Sequence, residues 1–175
     1  AAYPRIKAVN PSITVVAGAP TAVNVAYYEK VYANGGAGMF DALGIHPYSG
    51  IADKPMSYCD PSQPQWYPCN IPNLLKLMAD HGDGDKKLWA TEYGWSTHDN
   101  SSYPSPVPNW KRGVSLEQQA DNLLSAQTYL SQFPQVEASF FYVARNKTQS
   151  DAQEANFGLS YTNGTPKPAL KALKC

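Results

Sequence analysis

The 175-residue chain is predicted to be an α/β protein built on a parallel sheet. Two observations predict this. Short apolar runs of strand length alternate along the chain with longer segments whose apolar residues recur at helical spacing. The order they give is the tail of a helix followed by β-α-β-α-β-α-β-α, and strict alternation of this kind argues for a parallel sheet. The 43% hydrophobic content is enough for a core, and by length the chain is one domain spanning residues 1–175.

Tyr3, Ile6 and Val9 fall at three-residue spacing before Asn10-Pro11, as in the last turns of a helix whose beginning is absent. Ile13–Ala17 is β-branched, apolar and closed by Gly18, which reads as a buried strand. Ala22–Asn34 carries Val23, Tyr27, Tyr28, Val31 and Tyr32 at helical spacing and stops at Gly35-Gly36. Phe40–His46 is the second strand, followed by a long loop with two cysteines. Ile71–His81 is a helix with Leu74, Leu75 and Met78 on one face and Gly82 as its C-cap. Leu88–Glu92 is the third strand, with Trp89 expected to face the helices. Ser96–Gly113, rich in proline and polar turn residues, is a second long loop. Ser115-Leu-Glu-Gln118 is a capping box opening a helix that stops before Pro134. Val136–Val143 is the fourth strand. Thr165–Leu173 closes the chain as a short helix with Pro166 in its first turn. There is no internal repeat and no low-complexity segment.

Lys+Arg and Asp+Glu both number 14, so the net charge is zero. No basic stripe suggests nucleic acid, and no apolar run is long enough to span a membrane. Charged residues are only 16% while aromatics are 12%, with 12 Tyr, 15 Pro and 12 Gly. A loop-rich chain with a polar aromatic surface suits carbohydrate binding. The chain starts at Ala1 without Met and shows no signal peptide, as expected of a processed chain, a fragment or a trimmed one. Cys59 and Cys69 bracket a Pro-rich loop with no further zinc ligand at suitable spacing. A disulfide is the better reading there, implying an oxidising, secreted or extracytoplasmic setting. Cys175 is then odd: free, or paired outside the chain. Sequons at Asn100, Asn146 and Asn163 permit glycosylation in a eukaryotic secretory host. No His/Asp cluster has metal-ligand spacing and no Gly-x-Ser-x-Gly elbow accompanies His46, His81 or His98. Neither a metal, a cofactor nor a serine hydrolase is therefore expected.

The chemistry concentrates at Lys87-Leu-Trp-Ala-Thr-Glu92-Tyr-Gly-Trp-Ser96. Glu92 sits at the C-terminal end of a strand, where a carboxylate can face a solvated cleft and where parallel α/β folds carry their sites. A glutamate that merely opens a loop would occupy the same position. Thr91, Tyr93 and Trp95 around it supply a hydroxyl and flat apolar rings, which a sugar needs. Thr91-Glu92-Tyr93-Gly94-Trp95 resembles the seventh-strand signature of the clan A retaining glycoside hydrolases, the cellulase- and xylosidase-like TIM barrels. Phe40-Asp-Ala-Leu-Gly-Ile-His46-Pro-Tyr48 resembles their sixth strand. Phe157-Gly158-Leu159 and Pro166-Lys-Pro-Ala169 extend the resemblance over nearly the whole chain.

The resemblance implies that the four strands are the fifth to eighth of a (β/α)8 barrel, so that residues 1–175 form its C-terminal half. It also implies that Glu92 is the catalytic nucleophile, cleaving O-glycosyl bonds of a polysaccharide or glycoside with retention. His46 or Tyr48 would hydrogen-bond Glu92 and keep it ionised and oriented, unless His46 is simply a buried histidine satisfied by backbone and Tyr48 covers the core. Trp95 is a candidate cleft-lining ring. Tyr142 and Arg145, ending the fourth strand, are candidate substrate contacts, although the clan often has Trp there. Trp66, Tyr67, Tyr103 and Trp110 are sugar platforms or, equally, loop-packing anchors. The family's acid/base follows Asn at the end of the fourth strand, and no Asn-Glu dipeptide occurs in this chain. Asp41 belongs to the opposite end of the sheet as a cap or ion pair. Asp53, Asp60 and Asp99 read as turn residues, and Glu117 and Glu154 have no site-like setting. The isolated chain is therefore expected to be inactive. Its partner would be a carbohydrate plus either an N-terminal half-barrel segment or a second copy of the chain. The alternative is a non-catalytic carbohydrate-binding or structural half-barrel.

Overall fold

The computed structural model describes residues 2–60, 62 and 67–173. Trp66 and Cys175 lie outside the described residues. The elements run α1 (Ala2–Val9), β1 (Val16–Ala17), α2 (Val25–Ala33), β2 (Ala42–Ile45), α3 (Ile71–Asp80), β3 (Lys87–Tyr93), α4 (Leu116–Leu130), β4 (Val136–Phe141), α5 (Ala152–Ala155) and α6 (Pro168–Ala172). The strands form one sheet in the order β1-β2-β3-β4, every pair parallel. This is consistent with part of a barrel.

The predicted alternation is present, with most elements shorter, β3 longer, and three corrections to the elements. β1 keeps only two residues of the Ile13–Ala17 run, and Ile13 is exposed. α5 was not anticipated, although Asp151-Ala-Gln-Glu154 carries a helix-start pattern; Asp151 accepts from the Glu154 N–H at 3.1 Å. The last helix starts later than expected. Pro168, not Pro166, occupies its first turn, and Pro166 forms an isolated bridge with Ser160. The Ser115 cap on α4 forms as expected, its hydroxyl accepting from Gln118 N–H at 3.0 Å. The Gln118 side chain does not close the box; it donates to the Asp53 carbonyl at 3.2 Å.

One apolar cluster binds the helices to the sheet. Tyr28 and Tyr32 of α2, Leu74 and Met78 of α3, and Leu123, Ala126 and Leu130 of α4 pack with Leu43, Ile45, Leu88 and Ala90. Tyr28 satisfies its buried hydroxyl on the Gly44 carbonyl at 2.6 Å. Trp89 corrects its expectation. It alternates with the wholly buried Leu88 and Ala90 and so falls on the other face, where its Nε1 donates to Glu137 at 2.9 Å beside the half-exposed Phe140.

β3 is irregular, and the irregularity positions the site. Ala90 pairs with Ser139 but Tyr93 pairs with Phe141, so three residues of β3 span two of β4. Strict alternation from Ala90 would place Glu92 on the helix-covered face. The shift puts Tyr93 there instead, fully buried against Phe141 with its hydroxyl 3.4 Å from Ser139. A bulge re-aims a side chain in this way, and Glu92 is left 40% exposed.

Cys59 and Cys69 are joined, with Cα atoms 5.8 Å apart. The bridge closes a short loop leading into α3. Removing it by Cys59→Ser with Cys69→Ser is expected to lower stability by about 2–3 kcal/mol in the chain-entropy model, read as a shift in denaturation midpoint. An unchanged midpoint would show that the loop is held by its packing alone. Among the described residues, no helix is long and apolar enough to cross a membrane.

The end of the sheet away from the cavity is pinned by Asp41, an ion-pair role matching its expected one. It lies 2.7 Å from Lys7 Nζ, and accepts from Val15 N–H at 2.7 Å and Tyr3 hydroxyl at 2.8 Å. Lys7, then the Val15 amide, hold its carboxyl down from 3.8 to about 2. Asp151 is likewise held at about 2, first by the Glu154 amide, then by Tyr103 and Lys111. A carboxyl whose folded pKa is depressed stabilises fully above its unfolded value and loses that contribution as pH falls through the folded one. Melting temperature should therefore drop between about pH 4 and pH 2, and by less in Asp41→Asn and Asp151→Asn. Equal drops in wild type and variants would remove these two groups as the cause.

Candidate active site

A cavity of about 620 Å³ opens at the C-terminal ends of the strands. Each strand end supplies part of its wall: Thr21 and Ala22 after β1, His46 and Tyr48 after β2, Glu92 as the last but one residue of β3, and Tyr142 directly after β4. Parallel strands aim these residues together because their C-terminal ends share one side of the sheet.

Glu92 is the centre of the polar wall. The Tyr48 hydroxyl donates to its Oε2 at 3.3 Å, and His46 Nδ1 approaches the same oxygen at 3.7 Å. The first is a long hydrogen bond and the second lies beyond hydrogen-bond distance. Burial, then the Glu92 charge and hydrogen bond, push the Tyr48 phenol well above its ordinary range, so it remains a donor. His46 and Tyr48 meet edge-to-face at 6.4 Å, and Tyr48 packs on Phe157 at 6.3 Å, which fixes the phenol's direction. Both expected residues therefore reach Glu92.

Trp95 also reaches the wall and is buried, while its carbonyl accepts from the buried Gln119 side chain at 2.7 Å. Gly94, between Glu92 and Trp95, has no room for a side chain, because a Cβ there would collide with the Tyr142 carbonyl. The same close approach lets the Tyr142 N–H donate to the Tyr93 carbonyl at 2.9 Å. The Tyr142–Val143 peptide is cis. Arg145 is exposed, bridges Ser160 and does not line the cavity. β4 ends at Phe141, four residues earlier, and the chain has turned away by then.

Glu154 is the residue that sequence reasoning missed. It lines the cavity with Glu92 and accepts from the Tyr142 hydroxyl at 3.1 Å. Lys147 donates to the same Tyr142 oxygen and lies 4.3 Å from its ring centroid. That hydrogen bond raises the Lys147 pKa. Asp53, Asp60 and Asp99 stay out of the cavity; Asp60 and Asp99 accept from Ser62 and Ser101 amides as turn residues do.

Behind the wall, Lys167 is completely buried and has no carboxylate partner among the described residues. Its ammonium donates to Thr97 Oγ1 and Asn146 Oδ1 at 2.9 Å and to the Asn156 carbonyl at 3.0 Å, and burial lowers its pKa to about 8. It ties the segments after β3, β4 and α5 to the C-terminal segment. Of the three sequons, Asn146 and Asn100 have their side-chain nitrogens in hydrogen bonds to Asn156 and Gly113, and Asn163 accepts from Thr165 N–H through its side-chain oxygen; Asn100 and Asn163 are exposed.

No family model matches the sequence, and no curated protein matches it. Solved structures do match. A family 39 glycoside hydrolase from the gut symbiont Bacteroides cellulosilyticus WH2 is similar over 98% of this chain, at 26% identity with a TM-score of 0.71. A β-galacturonidase from Eisenbergiella tayi covers 98% at 15% identity and TM-score 0.63. A monomeric β-xylosidase from Caulobacter crescentus CB15 covers 98% at 17% identity and TM-score 0.57. The matched region is 35%, 28% and 34% of those chains, so this chain spans about a third of their length. These structural neighbours are glycoside hydrolases.

Proposed function

We propose that this chain is the nucleophile-bearing, C-terminal half of a retaining glycoside hydrolase of clan A type. Its four strands would be the fifth to eighth of a (β/α)8 barrel, acting on O-glycosyl bonds of a polysaccharide or glycoside. The observation that carries this is Glu92: a carboxylate turned by a strand irregularity into a 620 Å³ cavity at the C-terminal ends of parallel strands, hydrogen-bonded by Tyr48 and approached by His46. In a retaining mechanism Glu92 attacks the anomeric carbon as the bond to the leaving oxygen breaks, and a second carboxyl protonates that oxygen. The same second carboxyl then takes a proton from the water that releases the sugar from Glu92. Tyr48 and His46 hold Glu92 in line, while Trp95 and Tyr142 line the sugar's path.

The second carboxyl would come from a preceding half-barrel segment or from a second copy of the chain. The disulfide supports a secreted or extracytoplasmic location. A mechanism-based fluorinated glycoside, applied to the complete enzyme, should label Glu92. Labelling at another carboxylate would remove the assignment. The absence of an Asn-Glu dipeptide favours a second reading, a non-catalytic carbohydrate-binding half-barrel. Saccharide binding by the complete protein without hydrolysis or labelling would decide for it.

A further inference from the structure

We propose that Trp110 and Arg112 form an outer sugar subsite, so that the ligand of this cavity is a chain of at least two pyranose residues with the outer one stacked on the Trp110 indole. This rests on the carbohydrate reading of the site but not on Glu92 being a nucleophile. Three aromatic residues in the described loops were candidate platforms, and the structure separates them. Tyr67 is buried, its hydroxyl directed at Asp60 at 3.4 Å. Tyr103 is an anchor: its hydroxyl donates to Asp151 at 2.7 Å and accepts from Gln153 N–H at 2.8 Å. Trp110 alone is both on the cavity wall and 61% exposed.

An exposed indole on a cavity wall offers a flat apolar face on which a pyranose ring can stack. Its backbone is nonetheless firmly held. The Trp110 carbonyl accepts from Gln153 Nε2 at 2.9 Å, and Asn109 accepts from Ala52 N–H at 3.2 Å. Lys111 next to it is clamped by Asp151 at 3.2 Å and lies 4.0 Å from the Tyr103 ring centroid. The indole is thus presented on a rigid rim, which lowers the entropy lost on binding. Arg112, two residues on, also lines the cavity; its backbone N–H donates to the Asn109 carbonyl at 3.4 Å, and among the described residues its guanidinium has no hydrogen-bond or ion-pair partner. Its planar fork of donors is free for the hydroxyls or carboxylate of a sugar. The 620 Å³ volume is of the size that encloses a drug-sized ligand and has room beyond a single sugar at Glu92.

The test is calorimetric titration of the complete polypeptide or assembly containing this chain. A Glu92→Gln background is used because, on the proposed mechanism, it suppresses turnover of the probes. The probes are cello-, xylo-, manno-, galacto- and galacturono-oligosaccharides, from the monosaccharide to the tetrasaccharide. In at least one series, affinity should rise about tenfold from monosaccharide to disaccharide or trisaccharide. Trp110→Ala should abolish that rise and Trp110→Phe should keep most of it. Arg112→Gln should weaken the longer ligand about fivefold. A greater loss for galacturonides assigns a carboxylate to Arg112, and an equal loss assigns hydroxyls. No gain with chain length in any series, or an equal gain in Trp110→Ala, overturns the subsite. A glycosidase that keeps its turnover in Glu92→Gln but loses the length effect in Trp110→Ala would retain the subsite while removing the nucleophile.

Discussion

Glu92→Gln is expected to lower turnover by several orders of magnitude, on the order of 10⁴–10⁶-fold as for other enzymes stripped of a nucleophile. The reason is chemical. The amide is isosteric with the carboxylate and keeps a hydrogen-bond acceptor for Tyr48 at its 3.3 Å distance, so the fold and the cavity are preserved. It is a poor nucleophile, however, and the glycosyl-enzyme intermediate cannot form efficiently. At about 1.4 kcal/mol per decade this loss exceeds that expected from any other single change at the site. Substrate affinity should change little, because the lost interaction develops in the transition state. The measurement is steady-state kinetics of the complete enzyme, with the melting temperature of the variant as the folding control. Wild-type kcat in a folded Glu92→Gln protein would exclude Glu92 as the nucleophile.

The chain by itself is expected to turn over glycosides at least about 10²–10⁴-fold more slowly than the complete enzyme, the typical contribution of a general acid. On the proposed reading the acid lies outside this chain, and without it the leaving oxygen would depart unprotonated. The sheet adds a physical reason for the chain to associate. The order β1-β2-β3-β4 leaves both outer strands without a further partner among the described residues. The face of the sheet away from the helices presents Trp89 and a Phe140 that is 48% exposed. Parallel sheets are normally covered on both faces, and open edges invite pairing. Light scattering after size exclusion should therefore report a dimer or larger species. A 19.1 kDa monomer with a sharp cooperative melt would refute that. If such a monomer also hydrolysed glycosides, Glu154→Gln would be the next variant. Loss of that activity would make Glu154 the acid, since it is the other carboxylate on the cavity wall among the described residues.

The parallel α/β class was legible from local pattern alone. Short apolar runs such as Phe40–His46 and helices such as Ile71–His81 are signalled by neighbours a few residues apart, and the structure keeps them as β2 and α3. Glu92, His46 and Tyr48 could be placed on one side of the sheet for the same reason: each follows an apolar strand, and parallel strands end together. The Cys59–Cys69 bridge followed from spacing and the absence of other ligands. Which way each side chain turns was not local information. Trp89 and Glu92 depend on the register of β3 against β4, and the extra β3 residue between Ala90 and Tyr93 is visible only once Phe141 stands opposite Tyr93. Glu154 reached the cavity because α5 folds back to Tyr142, and Arg145 left it because β4 stops at Phe141. Trp110 was told apart from Tyr103 and Tyr67 by hydrogen bonds to residues far away in sequence, among them Asp151 and Gln153. Sequence by itself determined the four strands, the helices between them and the strand that carries the carboxylate, but not α5. Tertiary structure decided which groups share its cavity, because that depends on contacts between residues tens of positions apart.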